Sequence, residues 1–235
     1  MKSLVAKTWF KIAALAVLLI LVSVGIALAM WPRPKPIAQT SAQPTKTTAA
    51  TSVAYSVTPV VQNLKVPWSI VFTSKDRWLV SERAGSVRVV ENGKLAAQPL
   101  TTFNASSKSE EGLMGLALDP DYATNKLVYA CYAYASGGRL VDRVVKFEDR
   151  GASAGSPTTV IDGIPAAVNH AGCRLGFGPS DKKLYITTGD ATNKANAQNQ
   201  SSLAGKILRI NSDGSIPSDN PFAGSAIWTL GHRNS

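Results

Sequence analysis

"LGFGPSDKKLYITTG" (residues 175–189) runs apolar-x-apolar, breaks at a Pro-Ser-Asp turn, and resumes behind two lysines as an apolar strand. The plan occurs twice upstream, in "WSIVFTSKDRWLVSE" (68–82) and "LALDPDYATNKLVYACY" (116–132). Aligned on Phe72, Leu118 and Phe177, the copies are offset by 46 and 59 residues. A spacing of roughly 40–50 residues, lengthened by insertions, is that of four-stranded sheets repeated around a ring. Such a sheet has two apolar faces, and only stacking between neighbours buries both. Between the copies the texture is the same: "SVRVVENGKL" (86–95) turns at Asn92-Gly93, a strong hairpin signal, and "RLVDRVVKFE", "KLYITTG" and "GKILRIN" are strand-length and apolar. The fold expected from residue 55 onward is all-β and a β-propeller, with three blades and the start of a fourth. A β-sandwich, also built from short strands and turns, is the alternative.

The N-terminus is of another kind. "MKSLVAKTWFK" is basic, and "IAALAVLLILVSVGIALAM" (12–30) is uninterrupted apolar sequence, long enough as a helix to cross a bilayer core of roughly 30 Å. Residues 1–31 therefore read as a transmembrane signal anchor with the basic end inside and the body outside, in the periplasm or beyond the cell. Cleavage after Ala27-Leu28-Ala29, giving a secreted protein, is the alternative. Residues 32–54, rich in Pro, Thr, Ala and Gln, read as an extended tether, and 55–235 as the folded domain.

The formal net charge of +10 misleads, because Lys2, Lys7, Lys11, Arg33, Lys35 and Lys46 supply six of those charges before residue 53. The remainder has 19 basic against 15 acidic residues, with no basic helix or aromatic-basic platform, which argues against nucleic acid as a partner. Cys131 and Cys173 suit either one disulfide or two small buried thiols. No CxxC or cysteine-histidine spacing suggests a metal.

Only two histidines occur, His170 and His232. His170 lies in a loop feeding a strand, between "DGIPAAVN" and "AGCRLGFG". There a neutral imidazole can serve as general base, or simply make one turn hydrogen bond. Arg174 and Arg233 each stand near a histidine, a combination suited to an anionic or quinonoid ligand. "NSDGSIPSDNPF" (211–222) lacks the donor run of a calcium loop and reads as turns. Glu110 and Glu111 precede a glycine, where acids meet a ligand or cap a turn. "GDATNKANAQNQSSLAG" (189–205) is a polar loop long enough to cover a site, or to face solvent.

"EGLMGLALDPDYATNKLVYACY", "NHAGCRLGFGPSDKKLYITTGDA", "SSLAGKILRINSDGSIPSDNPF" and "IWTLGHRN" together resemble the glucose/sorbosone dehydrogenase family, in family order, over about residues 60–235. The resemblance implies a six-bladed propeller and oxidation of aldose sugars to lactones, with hydride passing to pyrroloquinoline quinone (PQQ). It implies a calcium ion that polarises the cofactor and an external electron acceptor. His170 matches the family's base, Arg233 and Asn234 match its cofactor contacts, and Glu110 stands where a cofactor-contacting glutamine is frequent.

The sequence also departs from the pattern. Ala171 and Cys173 replace Asn and Gly of "HNGGRLGFG", and Cys173 is expected to crowd the site. Glu110 adds an anion facing the carboxylates of PQQ, and Asn169 stands where some members carry an acid. The family's calcium ligands and later cofactor contacts fall beyond Ser235, so the chain as written reads as an incomplete ring, inactive alone. The competing expectation is a non-catalytic, membrane-tethered propeller piece that binds a carbohydrate or a protein.

Overall fold

A computed structural model describes residues 55–235; the apolar run 12–30 and the whole tether, 32–54, lie outside the described residues. Among the described residues no helix is long and apolar enough to cross a membrane.

Thirteen strands form three antiparallel sheets. The first contains β1 (Pro67–Phe72), β2 (Arg77–Glu82), β3 (Ser86–Glu91) and β4 (Lys94–Leu95), with β5 (Thr101–Thr102) also paired to β3. The second runs β6 (Leu113–Leu118), β7 (Leu127–Ser136), β8 (Arg139–Glu148) and β9 (Thr158–Pro165). The third runs β10 (Gly172–Phe177), β11 (Leu184–Thr188), β12 (Lys206–Ile210) and β13 (Ile227–Leu230). Each runs up and down through four consecutive strands, with β5 joining β4 on the edge of β3 in the first, and no strand crosses from one sheet to another. That separates the fold from the Greek-key sandwich and makes it propeller-like. The first strands stand together, β1 on β6 and β6 on β10. Phe72, Leu118 and Phe177 are the last residues of those three strands, each six residues long, so the sequence offsets mark equivalent points of successive sheets.

Strand β7 shows why one sheet is not stable by itself. Side chains alternate along a strand, so Val128, Ala130 and Tyr132 point one way and Tyr129 and Cys131 the other. The first set packs with Leu79, Val87, Phe103 and Leu113 in one core cluster, and the second with Leu175, Leu184 and Ile186 in another. Both faces are wholly apolar and buried, and each large aliphatic buried is worth about 1.5–3 kcal/mol. The longer offset before the third sheet comes from the second sheet, whose β7 and β8 are ten residues each against six in β2 and β3.

Cys131 and Cys173 form a disulfide between β7 and β10, with Cα atoms 6.3 Å apart. Cys173, expected to crowd the site, is 1% exposed and lies in the core between the second and third sheets, at the edge of the cleft that Gly172 and Arg174 also line. At the end of the sheets where β1 and β6 finish, Arg77 is paired. The Arg77 guanidinium grips Asp149 with two bonds of 2.6 and 2.9 Å, and the Tyr122 hydroxyl adds a third at 2.6 Å. Burial and that carboxylate push the Tyr122 phenol up to about 12. In the 211–222 segment Asp213 accepts from the Ser215 backbone N–H, and Asp219 and Asn220 accept from Arg209, so these oxygens are spent on turns and a buried arginine.

Candidate active site

The first strand of the second sheet and that of the third begin at the same end of the molecule, and the segments leading into them carry the site. His170, two residues before β10, has φ +57°, a left-handed conformation that costs a non-glycine residue about 1–3 kcal/mol. Two contacts hold it there. Its N–H donates to Glu110 Oε2 at 2.7 Å, and its carbonyl accepts from Ala191 N–H at 3.2 Å. Gly189 lies against that carbonyl, and a Cβ at Gly189 would fall 1.8 Å from the His170 oxygen. Only glycine permits the approach.

The imidazole is 16% exposed, and its Nδ1 lies 2.9 Å from Asp190 Oδ1, itself 6% exposed. A carboxylate at this distance from Nδ1 favours the tautomer with its proton on Nδ1, the form in which Nε2 presents a lone pair. Nε2 has no hydrogen-bond partner among the described residues. This is the arrangement of a general base oriented by an acid.

Nothing in "GDATNK" marks Asp190 beyond a polar loop. The structure sets the start of that loop, Gly189–Ala191, against His170, while most of 192–201 faces solvent. It forms a short helical turn, Lys194–Gln198, capped by the Asn193 side chain. The Asn196 amide donates to the Asp190 carbonyl at 3.0 Å, and the wholly buried Lys206 ammonium donates to the carbonyls of Asn196 and Ala204 at 2.7 and 2.8 Å. The one signal available in the sequence is position: an acid directly after the glycine that ends a strand.

The other expected residues gather around the same point. Glu110 accepts from His170 N–H and, at 3.2 Å, from the Asn234 amide. The His170 N–H is the leading cause that holds its carboxyl below the usual range. Asn234 also accepts from Gly172 N–H at 3.3 Å, and its backbone bridges Gly189. The Arg233 carbonyl accepts from Asp190 N–H at 2.7 Å, while its side chain is exposed. Asn169 donates to Ser109 Oγ at 3.2 Å, and His232 turns away to Thr229 Oγ1 at 2.7 Å. Glu111 is not presented to a ligand. It is fully buried and accepts from the N–H groups of Lys108 and Ser109, both at 2.8 Å; burial would raise its pKa, and these bonds lower it below the ordinary value.

Beside the base a cleft of about 270 Å³ opens between the first strands of the first and third sheets, lined by Trp68, Gly172, Cys173, Arg174, Asn234 and Ser235. Among the described residues no group of three or more His, Cys, Asp or Glu is placed to hold a metal ion.

Comparison with known proteins gives the setting. The chain is 30% identical over 237 residues to an uncharacterised protein of Synechocystis, covering 83% of this chain and 54% of that one. It is 27% identical to quinoprotein glucose dehydrogenase B of Acinetobacter calcoaceticus, covering 81% and 47%. It is 29% identical to an aldose sugar dehydrogenase of Escherichia coli, covering 79% and 53%. The chain thus spans about half the length of the curated relatives it matches. The PQQ-bound aldose sugar dehydrogenase of Streptomyces coelicolor superposes with a TM-score of 0.68 at 37% identity, over 74% of this chain and 53% of that one. With the sequence profile named Glucose / Sorbosone dehydrogenase matching residues 64–235, the chain belongs to the glucose/sorbosone dehydrogenase family.

Proposed function

We propose that these three sheets form half of a six-bladed, PQQ-dependent aldose dehydrogenase, and that His170 is its base. The observation that carries this is the His170–Asp190 pair, with Nε2 unpartnered among the described residues, beside a cleft that Arg174 lines. The residues present fit an anionic planar quinone. Arg174 and Arg233 are exposed cations, and the Glu110 charge is turned onto His170 N–H and the Asn234 amide. Arg233 and Asn234 would hold the cofactor, with Glu110 bracing Asn234. When bound, PQQ supplies the carbonyl that accepts hydride.

The chain's own part is proton chemistry and positioning. Nε2 of His170 takes the proton of the anomeric hydroxyl as the sugar is oxidised to lactone. Asp190 fixes the tautomer and stabilises the imidazolium that results. Calcium belongs to this reading as the family's Lewis acid, with ligands expected outside this sequence.

The apolar run 12–30 supports a body anchored at a membrane and held outside the cytoplasm, where an external acceptor removes the electrons. The test is sugar-dependent reduction of a dye by the full-length protein supplied with PQQ and Ca²⁺. Activity that disappears in His170→Gln is the expected result, and no sugar-dependent reduction rejects the reading.

A further inference from the structure

Nine arginines fall within residues 55–235. Five hold carboxylates: Arg77 with Asp149, Arg88 with Glu82, Arg143 with Asp162, Arg150 with Glu148, and Arg209 with Asp181 and Asp219. Arg83, Arg139, Arg174 and Arg233 make no ion pair among the described residues, and all four stand at the end that carries His170. Arg83 follows Glu82, whose strand partner is Pro67, the first residue of β1. Arg139 opens β8 opposite Ser136, Arg174 lines the cleft, and Arg233 follows β13. The carboxylates that might neutralise them are committed elsewhere: Glu110 to His170 N–H, Asp190 to the imidazole, and Glu111 to its own loop in the core. At the opposite end Arg77, Arg150 and Arg209 are all paired. Positive field therefore faces solvent at the site end.

One of the four is raised above the others. Leu113, the first residue of β6, is level with Tyr132, but the β7–β8 hairpin continues through Ala133–Ser136 before turning back at Arg139. Four residues at about 3.3 Å each carry the tip roughly 13 Å beyond the first strand. Arg139 and the residues of that tip are exposed.

We propose that this end docks an acidic redox protein that removes the electrons of sugar oxidation. The inference rests on the dehydrogenase reading. Each aldose converted to lactone gives up two electrons and two protons. Two one-electron carriers are each reduced once, and the protons pass to solvent. The four guanidiniums come from separate loops and a projecting hairpin rather than converging on one point. With Arg174 and Arg233 beside the cofactor, Arg83 and Arg139 stand apart from it on separate loops, a spread that matches the face of a protein in an electron-transfer encounter, under about 600 Å² on each partner.

Two carriers of opposite charge test it: an acidic c-type cytochrome and a basic mitochondrial cytochrome c, each titrated against the isotope-labelled full-length protein at low salt by NMR. The acidic one should shift amides of residues 136–139 and 231–235, with binding lost near 0.3 M salt and weakened about three- to tenfold by Arg139→Glu. Equal binding of the basic cytochrome overturns the proposal, as do shifts centred on the far-end loops 119–126 and 148–151. The readout needs no turnover, so it separates from the dye assay. Charge-dependent docking without sugar oxidation removes the dehydrogenase reading, while sugar oxidation with charge-blind docking removes this one.

Discussion

Replacing both Cys131 and Cys173 by alanine removes a cross-link that closes a loop of 42 residues between the second and third sheets. Chain entropy alone, taken over a loop of that length, amounts to about 4 kcal/mol at 25 °C. The sulfurs lie in the core between those sheets, so the loss of buried volume adds to the cost. With a urea m-value of about 2 kcal/mol/M for a domain of this size, the midpoint should fall by about 2 M. The assay is equilibrium unfolding in urea followed by tryptophan fluorescence, run on the oxidised protein, on the reduced protein and on the double variant. Because Cys173 is three residues from His170, the reduced protein should also lose amide protection first in 168–175. A midpoint shift under about 0.5 M, roughly 1 kcal/mol, would show that packing alone sets the relation of the two sheets and would refute the reasoning.

Asp190→Asn in the full-length holoenzyme should lower kcat roughly 10²–10⁴-fold with little change in KM for the sugar, since the ring loses its tautomer and its counter-charge; steady-state dye reduction measures it. Gly189→Ala should destabilise the fold by about 1–3 kcal/mol, or about 3–10 °C in melting temperature, because the new Cβ would lie 1.8 Å from the His170 carbonyl oxygen. Asp142 is fully buried with neither carboxylate oxygen hydrogen-bonded, and burial, with the Glu111 charge behind it, raises its pKa well above the ordinary value. A raised pKa means stability that is complete below the unfolded value near 3.8 and is lost as pH rises toward the folded one. Asp142→Asn should therefore melt higher than the parent at pH 7 and give a smaller advantage at pH 4, and thermal scans with the opposite order would reject this.

The repeat of sheets was legible because each one buries two faces, which forces the apolar-turn-apolar plan at Phe72, Leu118 and Phe177 to recur at equivalent points. The motifs name His170, Arg233, Asn234 and Glu110 as candidates, and the structure brings all four to one end of the sheets. Asp190 is not among them. Its partnership with His170 depends on the Gly189 backbone passing against the His170 carbonyl, a closeness that a 20-residue separation in sequence hides. The choice between a disulfide and two thiols was equally invisible, since it turns on whether β7 and β10 lie face to face across one core. The orientation of Glu110 follows from the left-handed turn at His170, which a spacing argument does not reach.

Glu110 precedes the second sheet, His170 lies between the second and third, and Asn234 follows the third, so the network occupies the seams rather than the sheets themselves. A short outer strand such as β4, two residues long and not buried, can then accept substitutions and insertions that never reach the base. The seams have no such latitude: a change there moves two neighbouring units against each other, and the lineage keeps its chemistry only by changing both sides together.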